Sequence, residues 1–266
     1  MNKRKVPIIS ISILIFTFSL SFIVPHIYLL SPFELNADKI LIPPSLEHLM
    51  GTDRLGRDVF SRVLTGGEVS LIIGVGSAVI SSLIGLILGV SAGYFRGYFD
   101  KSFIIIVDLF LTFPTFFLLL ALVSYISAST LILIIVISIT GWMGTARLIR
   151  AESHRISKQP FIKVLSISKV SNLKIIFKYF MPLLIPIFLV SFTFGVSGAI
   201  LAESGLSYLG LGVTPPNMSW GSILSDGKSV MEIAWWVSFF PGMMIFLVTF
   251  SLIQISDYLQ EFSNRR

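Results

Sequence analysis

The sequence predicts an all-α, polytopic membrane protein with six transmembrane helices. Three observations support this prediction: 54% of the 266 residues are hydrophobic, only 13% are charged, and the mean hydropathy is +0.88. An ordinary soluble domain has about a quarter of its residues charged. The polar stretches between the apolar blocks are too short for a second globular domain, so residues 1–266 are expected to form a single transmembrane domain.

Six apolar segments are expected to cross the membrane, because a helix of about 20 apolar residues spans the hydrocarbon. They are residues 6–30, 69–93, 102–126, 130–149, 181–207 and 233–255. The fourth is short if it ends at residue 145, so the prediction extends it to residue 149. A membrane barrel would instead show alternating segments of about ten residues. The lengths therefore favour helices throughout.

The first segment follows Lys3, Arg4 and Lys5, as the hydrophobic part of a signal peptide would. Its apolar run is too long for a signal peptide, and no cleavage site of small residues follows it. We therefore expect this segment to be retained as a membrane helix.

The distribution of basic residues predicts the orientation. With a cytoplasmic N-terminus, fifteen Lys and Arg residues lie inside and five lie outside, namely Lys39, Arg54, Arg57, Arg62 and Lys228. This bias predicts that both termini are cytoplasmic. Residues 31–68 and 208–232 then form external loops, and residues 150–180 form a cytoplasmic loop. The net charge of +6 comes from basic residues that lie beside the hydrophobic spans, where inside-facing loops are expected to collect them. No nucleic-acid partner is therefore expected. The chain has no cysteine, so it offers no thiolate site.

The cytoplasmic loop is unusually basic. Between Arg147 and Lys178 the chain has eight of its twenty Lys and Arg residues and a single acid, Glu152. Two short amphipathic runs flank Ser171 and Asn172, which predicts a helix, a turn and a second helix. Two interpretations stay open: an interfacial helix held to anionic lipid, or a docking element that enters a groove on a cytoplasmic protein.

The first external loop combines two glycines with four charged side chains. Gly51 and Gly56 permit tight bends. The charged residues, which can pair locally or cap a helix beginning near residue 58, are Asp53, Arg54, Arg57 and Asp58. The cluster either stiffens the loop or contacts an incoming substrate or the protein that delivers it.

Two acids fall within apolar segments, where a carboxylate is costly unless it faces protein or water. Glu203 near the outer end of the fifth segment either lines a pore or bonds to a backbone group within the bundle. Asp108 in the third segment is the second pore candidate, and its partner must come from another helix or from the interface. Pro114 permits a kink in that segment. Trp220 is expected at the level of the lipid headgroups.

Several other patterns exclude functions. Residues 221–229 end in Gly-Lys-Ser, but the spacing is one residue too long for a phosphate-binding loop, so the chain is expected to have no ATP site. His26, His48 and His154 are scattered over three regions, which argues against a metal site. No arrangement typical of a catalytic nucleophile is present in the sequence, so the chain is expected to be a transport subunit rather than an enzyme. Gly74, Gly76, Gly85 and Gly89 are interpreted as a close helix-packing face.

Two blocks resemble the permeases of the dipeptide, oligopeptide and nickel family of ABC importers, in particular the subunit usually encoded second. Residues 48–58 are similar to the family's Leu-Gly-Thr-Asp-x-x-Gly-Arg-Asp segment, and residues 203–221 resemble its fifth-helix exit. The resemblance assigns six residues to an external signature loop: Gly51, Thr52, Asp53, Gly56, Arg57 and Asp58.

The cytoplasmic loop resembles the ATPase-coupling loop of the same family, whose pattern is Glu-Ala-Ala, a glycine, and a final Leu-Pro. Alignment on Pro182 puts Lys163, Val164 and Leu165 at the Glu-Ala-Ala positions and Lys169 at the glycine. Lys163 therefore reverses the family's charge. The resemblance assigns the following residues to coupling: Phe161, Ile162, Lys163, Val164, Leu165, Lys169, Ser171, Asn172 and Pro182.

This resemblance implies the fold and the partners. It implies a type I ABC importer permease fold in the bacterial cytoplasmic membrane, forming half of a translocation path for peptides, nickel or a chelated metal. The implied partners are a second permease, two cytoplasmic ATPases that hydrolyse ATP, an extracytoplasmic binding protein and the lipid bilayer, with no cofactor in this subunit. The alternative is an ion-coupled secondary transporter or channel without ATPases, which would need several buried acids or inverted repeats. Glu203 and Asp108 are its candidate groups.

Overall fold

The structure is a computed structural model that describes residues 6–126 and 128–264. These residues are largely helical and contain no β-strand, which confirms the predicted all-α class. The helices are α1 (Ile8–Phe22), α2 (Val59–Phe95), α3 (Gly97–Thr112), α4 (Thr115–Val123), α5 (Thr130–Ser157), α6 (Pro160–Ile167), α7 (Asn172–Ile175), α8 (Met181–Tyr208), α9 (Trp220–Lys228) and α10 (Trp236–Asn264). The basic residues counted at the two ends, Lys3, Arg4, Lys5, Arg265 and Arg266, lie outside the described residues.

Within the described ranges, the structure has five candidate membrane spans, or six if one bent helix pair counts as a span. Five helical stretches are long and apolar enough to span a membrane: Ile8–His26, Val59–Phe95, Thr130–Ser157, Asn172–Tyr208 and Trp236–Phe262. The sixth crossing is possible only if α3 and α4 act together, because a bend of 79° separates them. Five of the six predicted segments therefore correspond to single long helical stretches, and the third corresponds to the bent pair.

The predicted continuous helix over residues 102–126 is wrong, because the chain breaks at Phe113 and Pro114. Phe113 adopts an extended conformation, with φ −87° and ψ 133°. A proline disfavours helical geometry in the residue before it, and Pro114 has no N–H to donate to the helix. The kink that the sequence allowed at Pro114 is therefore a complete break between two helices, which hydropathy alone does not place.

Helix α2 begins at Val59, as expected for a helix capped near residue 58, and it continues without a break into the span predicted at residues 69–93. The Asp58 side chain caps it by accepting a 2.7 Å hydrogen bond from the amide of Ser61. The first turns carry Ser61, Arg62 and Glu68, so they are too polar to register as membrane-spanning. Part of the predicted external loop is thus helical.

Helix α2 packs closely against α5 and α8 through its small residues. A Cβ at Gly89 would lie 2.7 Å from the carbonyl oxygen of Ala146, and one at Gly85 would lie 2.8 Å from the Thr145 side chain. A Cβ at Gly74 would lie 2.5 Å from Ile200 on α8. Real Cβ atoms essentially never come this close to another heavy atom, so a side chain at these three positions would not fit. Gly74, Gly85 and Gly89 therefore permit the close helix packing that was predicted.

Candidate functional site

The loop before α2, which is predicted to be external, is organised around the buried carboxylate of Asp53. One oxygen, Oδ1, accepts hydrogen bonds from the amides of Leu55 at 2.8 Å and Arg57 at 3.0 Å. The other, Oδ2, accepts from Nε of Arg57 at 2.7 Å and from Nη1 of Arg62. Burial alone would raise the pKa of Asp53, but the charges of Arg62 and Arg57 and the two amide hydrogen bonds together hold it below its usual value. Asp53 therefore anchors the loop as an anion.

A second acid, Asp226 on α9, joins this cluster from far along the chain. Its Oδ2 accepts hydrogen bonds from Nη2 of Arg62 at 2.9 Å and from Nη2 of Arg57 at 3.2 Å. Arg54 is more loosely attached, with Nη2 at 3.8 Å from Oδ1 of Asp226. Sequence analysis missed Asp226. The one available signal was that Asp226 belongs to the second predicted external loop, on the same predicted side as Arg54, Arg57 and Arg62.

The backbone bends expected at the two glycines are present. Gly51 and Gly56 have φ of +74° and +72°, a conformation that disfavours any side chain. Between them the Thr52 hydroxyl accepts from the amide of Ile42 at 2.8 Å, and the Thr52 carbonyl accepts from Nε1 of Trp236 at 3.0 Å. The loop is therefore fixed to the start of α10.

Asp58 has two partners that hold the base of this loop. Its Oδ2 caps α2. Its Oδ1 forms a 2.9 Å hydrogen bond with Nδ1 of His48. The pair is buried on both sides. The six residues of the predicted external signature loop thus lie together, although the partner of Asp58 is His48 rather than a neighbouring arginine.

A concave cavity of about 420 Å³ opens beside the charge cluster. Arg54, Arg57, Arg62 and Asp226 line one wall, and the connection between α8 and α9 lines the other. Ser207 belongs to the lining as well, at the end of α8. Apolar walls with a few convergent polar groups are typical of small-molecule sites.

Glu203 lies below that cavity and is completely buried, with 0% of its surface exposed. The Ser207 hydroxyl donates to Oε1 at 2.6 Å, and the hydroxyls of Ser70 and Ser204 lie 3.4 Å from Oε2. Hydroxyl groups of α2 and α8 therefore surround the carboxylate, and no ion pair to it is found among the described residues. Its role as a pore residue stays a prediction.

Trp220, which was expected at the level of the lipid headgroups, faces protein rather than lipid. Its side chain is fully buried, and its Nε1 donates a 2.8 Å hydrogen bond to the carbonyl of Val63. Its backbone amide donates to the hydroxyl of Ser70 at 3.0 Å. Trp220 therefore fastens the start of α9 to α2 beside Glu203, a role that an aromatic residue near a predicted membrane boundary does not reveal.

Asp108, the second pore candidate, lies on the exposed surface of α3 and pairs with Arg147 of α5. Its partner does come from another helix, as expected. Asp108 and Glu203 are on different elements and are not brought together by any described contact. Asp108 is the more accessible of the two.

Residues 150–180, the predicted cytoplasmic loop, contain the predicted helix, turn and helix. Helix α6 is followed by a turn at residues 168–171, then by α7, which continues through a π-helical turn (Ile176–Phe180) into α8. On α6 an apolar stripe faces outward, comprising Phe161, Val164 and Ile167. The opposite face holds Ile162, which is buried against the same core as Ile175.

Several contacts attach this loop to the membrane helices. Ile162, Ile175 and Phe180 belong to one buried cluster with Val90 of α2 and Ile149 of α5. The Tyr94 hydroxyl donates a 2.8 Å hydrogen bond to Oδ1 of Asn172. Ser171 precedes α7 as its cap residue, and Pro182 occupies the first turn of α8. The loop is therefore packed onto α2, α5 and α8.

The turn after α6 contains Lys169, the residue that the resemblance aligns with a glycine of the family pattern. Lys169 has φ +55°, and the amide of Val170 donates a 3.2 Å hydrogen bond back to the carbonyl of Leu165. This is the geometry of a helix end that glycine usually fills. Lys169 thus keeps the left-handed conformation that the family's glycine would adopt, at a cost of roughly 1–2 kcal/mol.

The loop's positive charge is only partly neutralised. Arg147, Arg150 and Arg155 pair with Asp108, Asp100 and Glu152. Five lysines have no ion pair within the described residues, and these are Lys158, Lys163, Lys169, Lys174 and Lys178. Lysines without an ion pair therefore lie on the same loop as the exposed apolar stripe of α6.

Comparisons with known proteins agree with this arrangement. Residues 85–266 match a family described as the binding-protein-dependent transport system inner membrane component. The dipeptide transport system permease protein DppC of Bacillus subtilis is 33% identical over 262 residues, which cover 98% of this chain and 82% of that protein. The oligopeptide transport system permease protein OppC of Mycobacterium tuberculosis H37Rv is 32% identical over 249 residues, covering 92% and 85%.

A putative peptide transport system permease protein of Brucella suis is also similar, with 33% identity over 219 residues, 82% of this chain and 74% of that protein. Among solved structures, the inward-facing MetNI methionine ABC transporter matches with a TM-score of 0.56 and 16% identity. The match covers 74% of this chain and 96% of the other. At that identity the likeness concerns the fold.

Proposed function

Because this chain belongs to the family of binding-protein-dependent transport system inner membrane components and is a membrane permease subunit of an ABC importer, we propose that it imports short peptides. The named relatives are peptide permeases, and they match the chain over most of its length. In the proposed assembly it pairs with a second permease, two cytoplasmic ATPases and an extracytoplasmic binding protein. ATP is hydrolysed by the ATPases.

The observation that carries the proposed coupling role is the outward stripe of α6. Phe161 is 39% exposed, Val164 is 60% exposed and Ile167 is 81% exposed, on a short helix whose other face is buried. Amphipathic helices of this kind dock their apolar face into a groove of a partner. The unpaired lysines on the same loop favour a groove with carboxylates, in agreement with the reversed charge at Lys163.

Force would reach the membrane helices through the loop's buried face. Ile162 and Phe180 pack with residues of α2, α5 and α8 in a single core, so a displacement of α6 moves these helices together. Close-packed interiors transmit displacement because they deform little. The proposed consequence is that closure of the ATPases tilts α5 and α8 and alternates access to the path.

The orientation that this coupling requires follows from the charge distribution. With residues 150–180 in the cytoplasm, both termini are cytoplasmic and the cluster around Asp53 is external. We propose that Asp108 and Glu203 lie near the translocation path and are the candidates for its polar lining residues. Glu203 enters the path only when its hydrogen bonds to Ser70 and Ser207 break, and Ser70 is also held by the amide of Trp220 at the start of α9.

The experiment that tests this function compares uptake of a labelled dipeptide and of labelled nickel in a strain lacking this chain. Complementation by the wild-type chain should restore dipeptide uptake. Phe161→Asp should abolish uptake while the protein stays in the membrane, because a charge in the stripe prevents docking. The matched control is Leu46→Asp, which changes an almost fully exposed residue of the external loop. Undiminished uptake by the Phe161 variant would overturn the docking role, and restoration of nickel uptake alone would overturn the substrate assignment.

A further inference from the structure

The cavity beside the external charge cluster has an excess of positive charge. Three guanidinium groups line it, from Arg54, Arg57 and Arg62. Two carboxylates balance them, Asp226 in the lining and Asp53 directly behind it. Three positive charges against two negative charges leave a net charge of +1 beside the space. An added anion is therefore favoured there.

One of the guanidinium groups also has hydrogen-bonding capacity left over. Arg62 is 4% exposed at its side chain, already donates to both carboxylates and has a buried Nε, so it contributes positive charge rather than a free donor. Arg54 has only the 3.8 Å approach to Asp226 and is 51% exposed. Planar guanidinium groups bind carboxylates with paired hydrogen bonds. The wall of the cavity is therefore suited to a carboxylate.

The rest of the lining fits a small organic molecule better than a protein side chain. The opposite wall contributes Val213, Pro215 and Met218 with the hydroxyls of Ser207 and Ser222. A volume of about 420 Å³ is within the range of small-ligand sites. Ser207 links the floor of this cavity to Glu203 through its 2.6 Å hydrogen bond. Ser207 would therefore stand between a ligand here and the buried carboxylate.

We infer that this cavity is an entrance site for the carboxylate of the transported solute, bound by Arg54 and Arg57. The inference rests on the proposed import function and names the group that the permease recognises. Two sources carry that chemistry, the C-terminal carboxylate of a short peptide and a free carboxylate of a metal chelate. The site selects for the carboxylate after the binding protein has released its ligand.

The test measures ligand binding to the purified complex of this chain with the second permease and the ATPases, without the binding protein. The probes are alanylalanine, alanylalanine amide and nickel citrate. Alanylalanine should bind about tenfold more tightly than its amide, because the amide lacks the charge that the guanidinium groups recognise. Tighter binding of nickel citrate than of alanylalanine would identify the chelate as the source.

The decisive variant is Arg54→Gln, which removes the least constrained guanidinium and leaves the hydrogen bonds of Asp53 in place. It should abolish the preference for the acid over the amide. Lys39→Gln is the charge-matched control on the same loop, since Lys39 pairs with Glu47 outside the cavity, and it should retain the preference. Equal affinity for acid and amide in the wild type, or an unchanged preference in Arg54→Gln, would overturn the inference.

Two further readouts separate this inference from the function on which it rests. Co-purification of the ATPases and ATP-dependent dipeptide uptake test the importer assignment without reference to the cavity. If both are present and the acid preference is absent, only the entrance site is overturned. If the binding protein protects Arg54 from arginine-specific modification and no small acid binds, the cavity belongs to protein docking and the inference is also overturned.

Discussion

Arg62 on α2 donates a 2.9 Å hydrogen bond from Nη2 to Oδ2 of Asp226 on α9, across 164 positions of the sequence. Arg62 also donates to Asp53, so one side chain connects the external loop, α2 and α9. This connection makes the two predicted external loops a single unit. A binding protein that docks on that side would therefore meet a surface whose parts move together.

Replacing Asp226 with Asn should destabilise the protein. The change leaves the guanidinium of Arg62, which is almost completely buried, with one charged partner instead of two. The loss of a hydrogen bond to a charged group costs about 1–3 kcal/mol. A lower melting temperature of the purified protein in detergent is the expected result. Asp38→Asn, at an exposed position of the same external region, is the control and should leave the melting temperature unchanged.

The acid stability of the protein should depend on Asp53. Burial raises its pKa, but the charges of Arg62 and Arg57 and two amide hydrogen bonds lower it further, so the folded value is below the unfolded value of about 3.9. A depressed folded pKa contributes stability above the unfolded pKa, and this contribution is lost as the pH falls through the folded pKa. The difference in melting temperature between wild type and Asp53→Asn should therefore be constant from pH 7 to about 5 and shrink below about pH 4. A difference that stays constant to pH 3 would contradict the assignment.

Replacing Lys169 with Gly should stabilise the cytoplasmic loop. Lys169 has φ +55°, which glycine adopts without the steric cost of a Cβ. The expected gain is about 0.5–1 kcal/mol after the greater flexibility of glycine in the unfolded chain is deducted. Lys169→Ala removes the same charge but keeps the Cβ, so it isolates the backbone effect.

The two Lys169 variants also separate backbone geometry from charge. Hydrogen exchange at residues 165–170 should be slower in the Gly variant than in the Ala variant. Both variants should bind the ATPases more weakly than the wild type if the lysine contributes to docking. Equal exchange rates in the two variants would show that the turn carries no strain.

The spans and the loop were predictable, because they depend on local patterns. Long apolar runs identify membrane helices, and the two amphipathic runs flanking Ser171 identify the helix, turn and helix of the loop. A helix capped near Asp58 was expected, but its continuity with the span from residue 69 was not, because its first turns are polar. Hydropathy therefore predicts where a helix crosses the membrane, and capping residues such as Asp58 predict where the helix begins.

The candidate site was only partly predictable, because its partners come from distant parts of the chain. Asp53 and Arg57 are four residues apart, so their pairing could be expected. Asp226 is brought to them by the packing of α9, which no local pattern encodes. The hydroxyl groups around Glu203 come from Ser70 and Ser207 on two helices, and serine in an apolar segment gives no hint of which acid it will meet.

Coupling between the cytoplasmic loop and α2 should depend on the hydroxyl of Tyr94. Its 2.8 Å hydrogen bond to Asn172 is a direct polar link between the end of α2 and the beginning of α7. Tyr94→Phe removes this link and keeps the ring, which packs edge-on against Phe180 with centroids 5.2 Å apart. A net hydrogen bond contributes about 1 kcal/mol, so the number of dipeptides imported per ATP hydrolysed should fall by up to about fivefold.

The control is Tyr98→Phe, because Tyr98 is 90% exposed on α3 and makes no hydrogen bond through its hydroxyl group in the described structure. Uptake and ATP hydrolysis are measured in the same reconstituted vesicles, so a change in their ratio is distinguished from a change in the amount of protein. An unchanged ratio in Tyr94→Phe would show that the hydroxyl transmits no force. A residue that only transmits motion should leave docking of the ATPases on the α6 stripe intact. Loss of the ATPases from the purified Tyr94→Phe complex would therefore assign Tyr94 to assembly instead.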